Sequence, residues 1–378
     1  MSEINVFNKY GLSPSIQKAI DDMGFQKATP VQAKTIQPFL AGRDLIVQAP
    51  TGTGKTCAFG IPACEAVDTS ARKVQVLILS PTRELAIQTS NVFRKLTKYK
   101  AQVRLATLYG GENIQKQFAA LRRHPQIIIA TPGRLFDHMN RGTVKLDGVK
   151  TVILDEADRM LDMGFKEDIN RILKAVPEDR QTVLFSATLP KGIMSIARSY
   201  QHEAQHVSIQ QDTLTVKSVA QFYTTVASGA KKRELLSLLE KNSCGLSLVF
   251  VNTKRMADGL CEALKKSGIR AEALHGDIKQ QKRERIMAAF RSGGIDVLVA
   301  TDVASRGIDV RNIDVVINYD LPIDSDCYVH RIGRTGRADR RGTAYTLIYR
   351  QEIRLLHTIM RQTKAVITPA APSLVAAG

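Results

Sequence analysis

The sequence predicts an α/β protein of two tandem domains, each a mostly parallel sheet with helices on both faces, joined by a short linker. Three observations carry this. Short, continuous, β-branched hydrophobic runs alternate with helix-length amphipathic segments, the pattern of βαβ units whose strands are buried on both faces. The pattern occurs twice along the chain. The length, 378 residues, exceeds what one hydrophobic core usually serves.

In the first half the strand runs are residues 44–48, 74–80, 103–108, 127–130, 149–154, 182–185 and 206–209. In the second half they are 220–226, 246–251, 270–274, 297–300, 315–319 and 342–348. The polar stretch 210–215, Gln-Gln-Asp-Thr-Leu-Thr, reads as the linker between a domain at 1–209 and a domain at 216–362. Residues 363–378 end in a Pro/Ala-rich, uncharged segment and are expected to be a flexible tail.

Composition narrows the function. Hydrophobic residues make up 44% and charged residues 24%, which excludes a largely disordered chain, a collagen and a coiled-coil rod. No apolar run reaches the roughly 18–20 residues of a membrane-spanning helix. The N-terminus lacks a basic segment followed by an apolar one, and the five scattered cysteines suit reduced thiols, so a cytoplasmic location is expected. The net charge is +18, and residues 1–210 and 211–378 each carry +9. A polyanion that touches both halves is the partner such a balance calls for, since Lys and Arg neutralising phosphates drive nucleic-acid affinity. A merely soluble basic protein is the alternative.

Residues 49–56, Ala-Pro-Thr-Gly-Thr-Gly-Lys-Thr, follow the first strand run and precede an amphipathic segment. Alanine stands at 49 where the general phosphate-loop pattern has its first glycine. The remaining logic holds. Thr51, Gly52, Thr53 and Gly54 let backbone amides wrap a phosphate at a helix N-terminus. Lys55 reaches the β- and γ-phosphates, and the Thr56 hydroxyl ligates Mg²⁺. A second metal-holding carboxylate belongs at the end of a neighbouring strand. Asp155, just after Val152-Ile153-Leu154, supplies it, and Glu156 is placed to orient and deprotonate the attacking water.

Residues 155–158 read Asp-Glu-Ala-Asp, and with the motifs around them the chain resembles the DEAD-box ATP-dependent RNA helicase family, bacterial general-purpose type, from about residue 7 to 360. That resemblance implies two RecA-like domains. Gly24-Phe25 through Gln32 resembles the family's Q motif, in which Gln32 reads the adenine edge and Phe25 stacks on the base; Phe7 matches an isolated upstream aromatic. Ala28 stands where the family usually has proline. Thr82 and Arg83 in Pro-Thr-Arg-Glu, Gly111 in Gly-Gly, and Thr131, Gly133 and Arg134 in Thr-Pro-Gly-Arg match RNA-backbone motifs. Thr253, Arg283 and Thr301 match their second-domain counterparts. Ser186 and Thr188 in Ser-Ala-Thr match the segment linking hydrolysis to strand separation, with Asp158 and His330 bonding across the cleft between domains. Asp309 contacts the ribose.

Residues 330–337, His-Arg-Ile-Gly-Arg-Thr-Gly-Arg, concentrate positive charge in a half that has no lysine-bearing phosphate loop of its own. Arg334 and Arg337 are therefore expected to stabilise charge on the transferred phosphoryl group, as the resemblance also implies. A surface cluster that binds only RNA phosphate is the other reading. The RNA motifs are rich in Gly, Thr and Arg and poor in aromatics, so contacts go to the sugar-phosphate chain and sequence preference is weak. RNA over DNA rests on the resemblance, with 2′-OH contacts as the physical reason.

The reading is thus an RNA helicase and ATP phosphohydrolase that uses ATP and Mg²⁺ and remodels short duplexes and RNA–protein complexes. Its RNA, single-stranded or short duplex, is chosen with the help of RNA-decay or ribosome-assembly proteins, and the core is monomeric without a membrane. An ATP-locked RNA clamp with little unwinding shares every motif. Residues 202–206 match His-Glu-x-x-His but straddle a helix-to-strand turn, so no zinc site is expected. Lys231-Lys232-Arg233 and Arg122-Arg123 read as solvated surface.

Overall fold

The computed structural model describes residues 7–50, 52–209, 219–241, 245–302, 313–323, 325–336 and 342–370. The chain divides into two compact units, Met1–Gln210 and Gln211–Gly378. The linker expected at 210–215 lies outside the described residues, as do Thr51, Asp309, Arg337 and Arg340-Arg341.

Unit 1 is built on a seven-stranded, all-parallel sheet of β1 (Leu45–Gln48), β2 (Val76–Leu79), β3 (Leu105–Leu108), β4 (Ile127–Ala130), β5 (Thr151–Leu154), β6 (Gln181–Ser186) and β7 (Gln205–Ser208). The spatial order is β3-β4-β2-β5-β6-β1-β7. Successive strand residues point to opposite faces, so both faces must be covered. Val47, Ile78, Ile129, Ile153 and Val183 pack beneath α1 (Pro14–Asp22), α2 (Pro30–Leu40), α3 (Lys55–Glu65) and α4 (Arg83–Leu96). Their neighbours Ile46, Leu77, Ile128, Val152 and Leu184 pack on the other side, against α6 (Pro132–Asn140), α7 (Ala157–Asp162), α8 (Lys166–Ala175) and α9 (Lys191–Tyr200). The short α5 (Ile114–Leu121) lies between β3 and β4 in sequence. Phe7 belongs to the first of these cores and is fully buried.

Unit 2 repeats the plan. Its strands are β8 (Val219–Val226), β9 (Leu246–Phe250), β10 (Ala271–Leu274), β11 (Val297–Ala300), β12 (Ile313–Asn318), β13 (Gly342–Tyr349) and β14 (Thr368–Pro369), again all parallel. Their order, β10-β11-β9-β12-β13-β8-β14, is that of unit 1 strand for strand. The helices are α10 (Lys231–Lys241), α11 (Lys254–Lys266), α12 (Gln280–Arg291), α13 (Ser325–Ile332) and α14 (Ile353–Thr363). One face is covered by α10 and α11, the other by α12, α13 and α14.

Each of the thirteen strand runs read from the sequence corresponds to a strand of these sheets. The first part of the expected tail does not conform, and residues 371–378 lie outside the described residues. Residues 363–370 are not loose: α14 ends at Thr363, Ala365 and Ile367 are buried, and Thr368–Pro369 adds β14 to the β8 edge. A two-residue strand has no periodicity to read, and its proline is tolerated because the strand sits at an edge. The His-Glu-x-x-His segment breaks as expected. α9 stops at Tyr200, Glu203 has φ +43°, and His206 lies in β7. Among the described residues no group of three or more His, Cys, Asp or Glu side chains could hold a metal ion.

Candidate nucleotide and nucleic-acid site

In a parallel sheet every strand delivers its C-terminal loop to the same edge, and that edge is where ligands bind in open α/β folds. In unit 1 the loop after β1 turns directly into α3, whose first residue is Lys55 and whose cap is Gly54 at φ +93°. Only glycine fits at 54. A Cβ there would lie in strained left-handed backbone and 2.7 Å from Gln32 Nε2. Lys55 is buried and its Nζ donates to the Ala49 carbonyl at 2.9 Å, while Thr53 Oγ1 donates to the Pro50 carbonyl at 2.8 Å. Thr56 is half-buried at the start of the helix.

Gln32 joins this loop to the preceding helix. Its Oε1 accepts from Thr29 N at 2.9 Å, and its Nε2 donates to the Gly54 carbonyl at 3.2 Å. An amide group offers two lone pairs and two protons, so one of each is left over for a base edge. Phe25 is half-buried against the same core.

Asp155 and Glu156 emerge from β5, two strands from β1. Both are buried, and Glu156 adopts left-handed backbone with φ +51°. Burial, then the neighbouring Glu156, pushes the Asp155 carboxyl up, against the pull of Lys55 and Arg159. Glu156 is ion-paired with buried Arg159, a residue the sequence reading did not single out. The Asp155 carboxylate, within the field of Lys55 at the start of α3, and the hydroxyl of the next residue, Thr56, are oxygen donors of the kind a hard divalent cation takes.

Asp158 is locked to the end of β6. Its Oδ2 accepts from Thr188 N at 2.9 Å, Thr188 Oγ1 at 3.0 Å and Ala187 N at 3.2 Å. Its Oδ1 accepts from Arg159 N at 3.0 Å, and Ser186 Oγ donates to the Thr188 carbonyl at 2.6 Å. Burial opposes the Asp158 charge, but the Thr188 donors, Lys55 and the Arg159 N–H outweigh it and hold the carboxyl below its usual range. Thus Asp158, Ser186 and Thr188 form one connected group, and the Lys55 charge acts on both Asp155 and Asp158.

The threonines matched to RNA motifs occupy corresponding places in the two sheets. Thr82 follows β2 and caps α4 by accepting from Leu85 N; Thr253 follows β9 and caps α11 by accepting from Met256 N. Thr131 follows β4 and bonds back to the end of β3, and Thr301 follows β11 and bonds back to the end of β10. A capping hydroxyl accepts from the helix and keeps its own proton for an incoming anion. Gly111, at φ +81°, and Gly133 are exposed; Arg83 and Arg134 are half-buried beside them, and Arg283 is half-buried on α12.

Unit 2 departs from unit 1 where a phosphate loop would be. The first residue of α10, after β8, is Lys231, the positional counterpart of Lys55. It is 2% exposed and lies between Asp320 (3.6 Å) and Glu352 (3.7 Å), with the Tyr349 ring 4.3 Å away. The expectation that Lys231 is solvated is therefore corrected: carboxylates of the same unit neutralise it. Arg331 is likewise a buried hub rather than a displayed charge. It makes a two-pronged pair with Asp302 at 2.7 Å, and donates to Asn252 Oδ1 at 3.0 Å and the Asp320 carbonyl at 2.7 Å. It thereby ties the loops after β9, β11 and β12. Arg334 is buried and His330 half-buried. Periodicity gave no signal for either hub, because both cations sit at polar loop–helix junctions.

The DEAD/DEAH box helicase family model matches residues 29–196, and the helicase conserved C-terminal domain model matches 230–339. A DEAD-box ATP-dependent RNA helicase CshA from Geobacillus kaustophilus is 48% identical over 361 residues, covering 96% of this chain and 77% of that protein. The chain belongs to the DEAD-box ATP-dependent RNA helicase family. An ATP-dependent RNA helicase CshA from Limosilactobacillus reuteri is 47% identical, covering 97% of this chain and 73% of its own. Among solved structures, S. cerevisiae Dbp5 bound to RNA and ADP BeF3 matches with TM-score 0.86 at 32% identity, covering 97% of this chain and 96% of that one. A DEAD box protein from Methanococcus jannaschii matches with TM-score 0.56 at 41% identity, over 97% and 99% of the two chains. No helix of the described residues is long and apolar enough to cross a membrane.

Proposed function

We propose that this DEAD-box ATP-dependent RNA helicase holds a single ATP on unit 1, completes the hydrolytic site with arginines of unit 2, and couples turnover to local, sequence-tolerant remodelling of RNA. Thr51, Gly52, Thr53 and Gly54 offer backbone to the phosphates, and Lys55 neutralises them. Gln32 uses its remaining proton and lone pair on the adenine edge, so that base recognition is transmitted to the Gly54 carbonyl; Phe25 stacks on the base and Asp309 holds the ribose. Thr56 and Asp155 would hold Mg²⁺, which when bound offsets phosphate charge. Glu156, oriented by Arg159, takes the proton of the attacking water as the terminal phosphoryl bond breaks. Arg334 and Arg337 stabilise the charge that develops on that group.

Thr82, Arg83, Gly111, Thr131, Gly133 and Arg134 of unit 1, with Thr253, Arg283 and Thr301 of unit 2, grip the sugar-phosphate chain. Asp158, Ser186 and Thr188, with His330 as a partner from unit 2, transmit the state of the nucleotide to that grip. Because ATP and RNA each engage both units, each raises the affinity for the other. The protein works in the cytoplasm as a monomer, directed by proteins of RNA decay or ribosome assembly.

The observation that carries this reading is the contrast between the two equivalent lysines. Lys55 faces a glycine loop and a metal-type carboxylate, whereas Lys231 is already neutralised by Asp320 and Glu352. One unit binds phosphate and the other has only arginines to contribute. Arg334→Ala and Arg337→Ala test it. Each lowers the RNA-stimulated rate by about 10³-fold while ATP affinity stays within about threefold. A variant that hydrolyses ATP at the parent rate removes the arginine from the reaction.

A further inference from the structure

Beneath the exposed glycines of unit 1 lies a glutamine that no motif includes. Gln117, on α5, is 1% exposed and uses its whole hydrogen-bonding capacity. Its Nε2 donates to the Tyr109 carbonyl at 2.9 Å and to Glu112 Oε2 at 3.1 Å. Its Oε1 accepts from Arg134 Nη1 at 3.3 Å and from His138 Nε2 at 3.0 Å. Tyr109 and Glu112 flank Gly110-Gly111, and the Arg83 guanidinium lies 4.6 Å from the Tyr109 ring. One buried amide therefore fastens the turn after β3 to the first two turns of α6, and the Tyr109 ring carries that turn to Arg83 at the start of α4.

Gly111 sits at φ +81°, where glycine is favoured, but Gly110 and Gly133 are not demanded by packing. A Cβ at Gly110 would meet nothing within 4 Å, and one at Gly133 only ordinary contacts at 3.8 and 3.9 Å. Their use is to leave the surface low enough for another backbone to approach. A low surface binds only if the cations beside it are held in register, and long Arg side chains lose rotamer freedom when they bind.

We infer that Gln117 is a positioning residue for RNA: it pre-sets the Tyr109–Gly111 turn and the Arg134 guanidinium in the arrangement that grips the sugar-phosphate chain. This rests on the RNA reading of Arg134 and Gly111 above. His138, itself buried and bonded to Thr143 Oγ1 at 2.9 Å, supports the amide from below.

The test uses the full chain, its RNA-stimulated ATPase and an oligouridylate as the RNA. Gln117→Glu keeps an acceptor for Arg134 and His138 but loses both donated bonds, and Gln117→Leu loses all four. Both raise the KM for RNA, the Leu variant by about tenfold or more, and leave the KM for ATP within about twofold. Because Gln117 acts through Arg134, Gln117→Leu combined with Arg134→Ala is less than additive in RNA affinity. Should the Leu variant fail to fold, the Glu variant with Arg134→Ala completes the same cycle.

An unchanged RNA KM in a folded variant, a parallel rise in the ATP KM, or strict additivity overturns the inference. If Arg134→Ala alone leaves the RNA KM at the parent value, the RNA role of Arg134 fails instead, and the two failures are told apart.

Discussion

The Asp158→Asn substitution probes the joint between nucleotide and RNA. The carboxylate takes four hydrogen bonds, three at one oxygen from Ala187 and Thr188 and one at the other from Arg159 N. Asparagine has a single acceptor oxygen. Turned toward Thr188, it sets its NH₂ against the Arg159 N–H; turned the other way, it sets NH₂ against three donors. At least one charge-assisted bond, worth about 1.5–3 kcal/mol, becomes a donor–donor clash, and the bonds that survive lose their charge. The expected cost is about 2–4 kcal/mol in the unfolding transition of unit 1, read by urea denaturation at pH 7. The pH dependence has a definite sign. The folded carboxyl lies below its ordinary value of 3.8, so its contribution is present above that pH and is lost as pH falls through the lower folded value. The gap between parent and variant therefore narrows on acidification. In function, strand release per ATP hydrolysed falls further than ATP hydrolysis does, because the Ser186–Thr188 segment loses its tether. A variant with parent stability and parent strand release per ATP would refute the argument.

Three further outcomes follow from the same geometry. Lys55→Ala removes the cation proposed to meet the phosphates and is expected to lower ATP turnover by about 10²–10³-fold or more, measured by phosphate release; undiminished RNA-stimulated turnover denies the phosphate-loop role. Glu156→Gln binds ATP and RNA yet hydrolyses about 10²–10⁴-fold more slowly, giving long-lived complexes in a filter-binding chase; turnover at the parent rate shows that Glu156 is not the base. Arg331→Met removes the two-pronged pair with Asp302 and the common anchor of three loops, so unit 2 loses about 3–5 kcal/mol in denaturation while nucleotide affinity is kept; an unshifted transition contradicts the hub.

Much of the candidate site was proposed from local sequence alone. The strand runs were recognisable because a strand buried on both faces is an unbroken apolar run, and residues 49–56 stood out as a candidate phosphate loop because close backbone approach to an anion requires glycines next to a lysine. Asp155 and Asp158 stood out because the same short stretch carries strand and acids. Phe7, matched only to an isolated upstream aromatic, proves to be a core residue, since one aromatic letter does not say which way its ring faces. Lys231 was read as solvated because it opens a run of three cations, a composition that usually marks a surface.

What local order along the chain dictated is the alternation of strands and helices and the chemistry stored in contiguous motifs, because backbone geometry and phosphate cradles are made by neighbouring residues. What folding in three dimensions added is the pairing of residues far apart. Gln117 meets Arg134, Lys231 meets Asp320 and Glu352, and Arg331 meets Asp302 and Asn252. These contacts join loops that only a particular strand order brings to one edge. No single stretch of chain contains both partners, and a buried polar group keeps its place only when every partner is delivered to it.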